Sequence, residues 1–169
     1  MSGKSLGNDF TRKDKEVLKK ARAVFSLITG YISDPAWYRF RQALYSLGLI
    51  THNLNEDETL EIVRKASKVR KQLPSAGIPF KAVLKFYLQQ EKLVSDMGGR
   101  SLKGDELVTL VRQQGIPLPN STRSLWFSSL GGFSKNRYYL AHEIQHILFL
   151  AAVYRSRQEQ KAQGTVSDE

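Results

Sequence analysis

The residues of this chain best spaced to do chemistry are His142, Glu143 and His146, in the run His142-Glu143-Ile144-Gln145-His146. Histidines at i and i+4 share one face of a helix, so both can grip a single zinc ion. The glutamate between them can then act as general base on a water bound to that ion. The remaining histidine, His52, stands alone just after a helix end, where a solvated or capping ring is the plain expectation. The chain has no cysteine, which excludes disulfides, thiolate nucleophiles and Cys-ligated zinc.

The frame of the motif, Tyr138-Tyr139-Leu140-Ala141 before it and Ile147-Leu148 after it, resembles the helix of zinc peptidases over these residues and nowhere else in the chain. The resemblance implies His142 and His146 as metal ligands and Glu143 as the base. A catalytic zinc needs a third protein ligand, and none follows. Phe149 stands where the extended motif places glycine, and Ala152 where it places a last histidine. The next carboxylate, Glu159, lies thirteen residues beyond His146, roughly 20 Å along a continuous helix. The reading adopted is therefore that the three residues form the one polar stripe of a buried helix, with no complete catalytic set and no cofactor. Other chemistry is absent too. Ser128-Ser129 with Gly131-Gly132 makes no nucleophile elbow, no glycine-rich loop follows a strand, and Gly98-Gly99-Arg100 reads as a helix break.

Helix signals divide the sequence into about seven segments. Thr11 and Asp14 form a capping box for a first helix that Gly30 closes. Asp34-Pro35 opens a second, stopped at Gly48. Asn55 opens a third, acidic in its first turns and basic in its last, ended by Pro74. A fourth runs from Pro79 to about Met97, a fifth from about Gly104 to Gln114 with Gly115 as its left-handed stop, and a short sixth from Asn120 to Gly131-Gly132. The last, from about Ser134 to Gln160, is apolar nearly all round between Tyr138 and Tyr154, as a buried central helix is. No alternating strand is recognisable, although Leu49 to Leu54 has an extended look. The expected fold is all-α, a compact multi-helix bundle with a buried C-terminal helix. Residues 1–10 are expected as a flexible N-terminal segment, 11–160 as a single helical domain and 161–169 as a flexible tail.

Twenty-six Lys and Arg against sixteen Asp and Glu give a net charge of +10, which attracts polyanions. Lys19, Lys20 and Arg22 lie on the outer side of the first helix. Arg64, Lys68 and Lys71 repeat at helical spacing on the third, and Lys81 and Lys85 on the fourth. Three basic stripes can line a groove for phosphates. Arg39 and Arg41, set among Trp37, Tyr38, Phe40 and Tyr45, offer guanidinium groups beside rings on which bases stack. The same stripes can be solvated helix faces, and the rings can be core.

The leading functional expectation is a basic helical nucleic-acid-binding protein, directed at the backbone of RNA or single strands, as a small subunit or coat-like component of a nucleoprotein assembly. A helix-turn-helix reader is considered, but no segment reads as its recognition helix. The second expectation is a protein-interaction subunit that docks on an acidic partner or self-assembles, with Trp126, Phe127 and Leu130 as its contact surface. The third is the zinc hydrolase. The N-terminus offers no secretory signal and no apolar run approaches a membrane span, so a cytoplasmic protein is expected.

Overall fold

In a computed structural model, residues 10–73, 79–98 and 101–168 are described, with side chains to residue 163. Among them are seven α-helices and a single pair of three-residue strands, so the class is all-α. The chain divides into two compact units, residues 1–76 and 77–169, each with its own core. The expected break at Pro74 and the glycine at 99 lie outside the described residues. No described helix is long and apolar enough to cross a membrane.

The first unit holds α1 (Arg12–Thr29), α2 (Asp34–Ser46) and α3 (Glu56–Gln72). The capping box opens α1 as its sequence requires: Thr11 Oγ1 accepts from the Asp14 N–H at 3.1 Å, and the Asp14 carboxylate accepts from the Thr11 N–H at 3.2 Å. Gly30, at φ +81°, closes it. The cap of α2 is Ser33 rather than Asp34, because the Ser33 hydroxyl accepts from the Ala36 N–H and leaves Asp34-Pro35 in the first turn. Asn55 caps α3 by accepting from the Glu58 N–H at 2.9 Å. Val17, Leu18, Ala21 and Phe25 of α1 are buried with Trp37, Phe40 and Leu44 of α2 and Val63, Ala66 and Val69 of α3. Phe25 centres this core, 4.3 Å from the Phe40 ring and 5.6 Å from that of Trp37.

Asp14 does more than cap. Its carboxylate also accepts from the backbone N–H groups of Leu54, at 2.8 Å, and Asn53, at 3.2 Å, so the loop before α3 is pinned to the start of α1. That loop, Leu47 to Asn55, is turns and bends, with Asn53 in the left-handed region at φ +60°. At their other ends the two helices meet through the Arg70 guanidinium, 5.1 Å over the Tyr31 ring. Helices α1 and α3 therefore run in the same direction.

The second unit holds α4 (Phe80–Asp96), β1 (Ser101–Lys103), α5 (Gly104–Arg112), α6 (Asn120–Phe127), a single 3₁₀ turn (Ser128–Leu130), β2 (Tyr138–Leu140) and α7 (Ala141–Asp168). The structure corrects the sequence expectation at the start of the last helix. The last helix starts at Ala141 instead of Ser134, because Tyr138–Leu140 pair antiparallel with Ser101–Lys103, Leu102 opposite Tyr139. Both central residues point into the core, while Tyr138, Leu140 and Ser101 point out. An alternation over three residues is too short to read in a sequence. At the far end α7 continues to Asp168. Glu159 to Gln163 are strong helix formers. Ile144, Ile147, Leu148, Ala151 and Ala152 are buried as α7 packs along α4, as expected of a central C-terminal helix.

Gly104 is where β1 turns into α5, and its backbone lies against the segment before β2. Its N–H donates to the Arg137 carbonyl at 2.9 Å, and a methyl group there would sit 2.1 Å from the Ser134 oxygen. Gly104→Ala is expected to lower unfolding free energy by roughly 1–3 kcal/mol in urea titrations, since the carbonyl it meets belongs to the backbone. Asp14 supplies a second test. The Leu54 N–H, foremost, and those of Thr11 and Asn53 hold its carboxyl below the ordinary value of 3.8, against the opposing effect of burial. A depressed folded-state pKa means its stabilisation is complete near neutrality and is lost as pH falls below 3.8 through the folded value. Asp14→Asn should lower the melting temperature at pH 7 and flatten its fall in acid; equal acid sensitivity in both proteins would remove Asp14 as the cause.

Candidate nucleic-acid interface

The exposed side of α3 carries Arg64, Lys68 and Lys71 opposite buried Val63 and Ala66. Arg64 pairs with Glu61 one turn earlier at 2.5 Å, while Lys68 and Lys71 make no ion pair among the described residues. On α1, Lys19 is exposed and unpaired among the described residues. Lys20 meets Glu56 at 3.0 Å, and Arg22 meets Asp34 at 2.7 Å and the Ile32 carbonyl at 3.1 Å. Exposed pairs such as Lys20–Glu56 are worth roughly 0–1 kcal/mol and yield readily to a phosphate.

Arg39 is exposed on α2, whereas Arg41 is half-buried. Its guanidinium lies 5.8 Å from the Tyr38 ring centre, and its Nε is buried without a hydrogen bond. Burial, chiefly, draws the Arg41 pKa below its ordinary value, though an arginine stays cationic. Trp37 and Phe40 belong to the core, so the stacking platform for single strands is reduced to exposed Tyr38. Lys81 and Lys85 belong to the other unit. Lys81 is exposed, while Lys85 lies 4.8 Å over the Phe86 ring and 3.9 Å from Glu159.

The HExxH motif is occupied with structure. Glu143 Oε1 accepts from the Leu140 N–H at 2.9 Å, closing the first turn of α7, and Oε2 accepts from Arg137 Nη2 at 2.7 Å. Arg137 also donates to the Leu130 carbonyl at 2.7 Å and lies 4.5 Å over the Tyr139 ring. His146 stands 3.3 Å from the Ser129 hydroxyl, and His142 is exposed. Among the described residues no three His, Cys, Asp or Glu gather where they could hold a metal. The residues do not fit a catalytic zinc, because the carboxylate that would serve as base is already held by a guanidinium and a backbone N–H. A hollow on α4 and α7, lined by Glu91, Val94, Ser95, Ala141, Ile144, Gln145 and Leu148, contains one carboxylate and no histidine.

On α6 and the turn after it, the sequence expectation fell on apolar residues alone. Of the apolar residues expected as a contact surface, Phe127 is fully buried, its ring edge-on to Phe133 and Tyr139 at 5.1 and 5.2 Å. Trp126 packs against Tyr154 and Leu130 is half-buried. Leu125 is the exposed one, at 71%. The N-terminal part of α6 projects Asn120, Ser121 and Ser124 outward. Tyr139 and Arg137 fix the loop Gly131–Arg137 beside it. The Tyr139 hydroxyl donates to the Gly132 carbonyl and accepts from the Ser134 N–H, each at 2.9 Å. One sequence signal was available: from Leu107 to His142 there is no Asp or Glu, while Arg112, Arg123, Lys135 and Arg137 fall inside that span.

No family model, no curated protein and no solved structure matches this chain.

If Glu143 serves the fold, Glu143→Ala should lower unfolding free energy by roughly 1.5–3 kcal/mol, the range for hydrogen bonds to charged groups. Added zinc should leave the melting temperature of the wild type where it was. A zinc-dependent rise that His142→Ala abolishes would reverse this assignment.

Proposed function

We propose that the protein binds nucleic acid through the phosphate backbone. The observation that carries this reading is the outer face of α3, where Arg64, Lys68 and Lys71 project together beyond the acidic first turn of the helix. The α1 residue Lys19 and the α2 residue Arg39 add exposed cations in the same unit, with Lys20 available once its surface pair opens. Fourteen Lys and Arg oppose eight Asp and Glu in residues 1–76, and twelve oppose eight in residues 77–169, so both units share the excess. Cations of this kind bind by releasing condensed counterions, which makes affinity steeply salt-dependent. With Trp37 and Phe40 in the core, the reading rests on phosphates, which RNA and DNA share.

A second reading, a subunit that docks on another protein, is favoured by Leu27 and Ile32, which are 86% and 80% exposed near the end of α1. Sedimentation of the chain alone discriminates it, since a defined oligomer that Leu27→Asp dissolves would support it.

Binding of a labelled oligonucleotide, followed by fluorescence anisotropy at 50 and 200 mM salt, tests the main reading. Three phosphate contacts correspond to a loss of about 40-fold over that range. Reversal of Arg64, Lys68 and Lys71 to glutamate should remove most of the affinity and flatten the salt slope. Salt-independent binding, or a reversed triple variant that binds as the wild type does, would falsify the proposal.

A further inference from the structure

The first unit keeps its core on one side of α1 and leaves the end of that helix bare. Among the described residues of the unit, the exposed large apolar side chains are Leu27, Tyr31, Ile32 and Tyr38, and all of them fall where α1 ends and α2 begins. Leu27 and Ile32 are the two most exposed of their kind in either unit. Single apolar residues are ordinary on a surface, whereas a gathering of them marks a contact. Ala23, one turn before Leu27 on the outward side of α1, is exposed too and leaves the approach to Leu27 open.

Cations are set among these side chains. Arg22 Nη2 donates to the Ile32 carbonyl at 3.1 Å, and Arg22 is near enough to Arg41 for the two charges to repel. Arg41 in turn lies 5.8 Å from the Tyr38 ring, so Ile32 and Tyr38 are neighbours of the same two guanidinium groups. On the other flank the Arg70 guanidinium of α3 lies over Tyr31. Acids are scarce here. From Val17 to Asn55 the one acid is Asp34, which Arg22 already holds at 2.7 Å, and Glu56 at the start of α3 is held by Lys20 at 3.0 Å. Arg41 and Arg70 make no ion pair among the described residues.

We infer that the end of α1 is a docking face for an acidic amphipathic helix of another protein, whose apolar side chains cover Leu27 and Ile32 and whose flanking carboxylates meet Arg41 and Arg70. This rests on the docking reading and deepens it by naming the face and the chemistry of its occupant. The nucleic-acid stripe on α3 does not depend on it.

Charge decides among occupants. A second copy seated about a two-fold axis would set these guanidinium groups against their own copies, because such an interface repeats one patch. A lipid surface takes an apolar helix side several turns long, and α1 carries Lys19 and Lys20 on its outward side only a turn before Ala23. A helix with Leu or Ile at i, i+3, i+4 and i+7 and acids beside them supplies both apolar cover and opposite charge.

Selection from a displayed library of random helical peptides, with the full chain as bait, tests the inference. The enriched peptides should carry apolar residues at helical spacing and more Asp and Glu than the library. A synthetic copy of the strongest binder should lose at least tenfold in affinity against Leu27→Ser with Ile32→Ser, both at positions too exposed to carry the fold, with circular dichroism unchanged. Arg70→Glu should cost that peptide at least tenfold and improve binding of a version whose acids are replaced by lysine. A labelled oligonucleotide should bind the serine variant as it binds the wild type, so that the two faces are read separately. The inference is overturned if no peptide is enriched, if the serine variant binds the peptide unchanged, or if the enriched peptides are neutral or basic. That last result, with binding still lost in the serine variant, would leave the docking reading standing; no peptide and no oligomer in sedimentation would remove both. An oligomer that Leu27→Asp dissolves would put a second copy on this face and overturn the acidic partner.

Discussion

A single carboxylate ties together three segments of the second unit. Glu143 is buried at the first turn of α7, where it takes a hydrogen bond from the Leu140 N–H and an ion pair from Arg137. Through Arg137 it reaches the Leu130 carbonyl at the end of the 3₁₀ turn that follows α6. The start of the long helix, the strand before it and the loop beside α6 thus hang on one acid. A helix N-terminus favours a negative charge, and a half-shielded guanidinium favours it further. The motif that reads first as metal chemistry is, in the folded chain, a bracket.

The cations of the protein divide by the work they do. Arg22, Arg41, Arg112 and Arg137 spend their guanidinium groups on carbonyls, carboxylates and rings of their own unit. Lys19, Arg39, Lys68, Lys71 and Lys135 point to solvent with no ion pair among the described residues. Arginine suits the first task because its flat fork satisfies several acceptors at once, and lysine suits the second because its ammonium is mobile and strongly hydrated. Net charge alone does not separate the two groups. Burial and partners do.

The sequence was most informative where one interaction is local. The Thr11–Asp14 box, the Asn55 cap and the left-handed stops at Gly30 and Gly115 are set by neighbours within a few residues, and they stand where the residue types place them. The helical class and the buried character of α7 follow from periodicity over many residues. What was hidden depends on partners distant in the chain. Tyr138–Leu140 becomes a strand because Ser101–Lys103 lies alongside, and nothing in three residues announces it. Trp37 and Phe40 are core because Phe25 meets them, a contact between two helices. Of the site, the α3 stripe was readable from spacing, whereas Phe127, expected at a contact surface, is core because Phe133 and Tyr139 meet it.

The link before α6 carries one further consequence. Leu118 is held at φ +41°, a left-handed conformation that a leucine rarely adopts and that costs on the order of 1–3 kcal/mol. Prolines on both sides, Pro117 and Pro119, restrict their own φ angles, and the burial of Leu118 keeps the strained residue in place. The turn is therefore held in one conformation by the chain itself, and it has little conformational entropy left to lose on any association. Encounter with a partner would then be limited by orientation rather than by folding, as in rigid-body recognition.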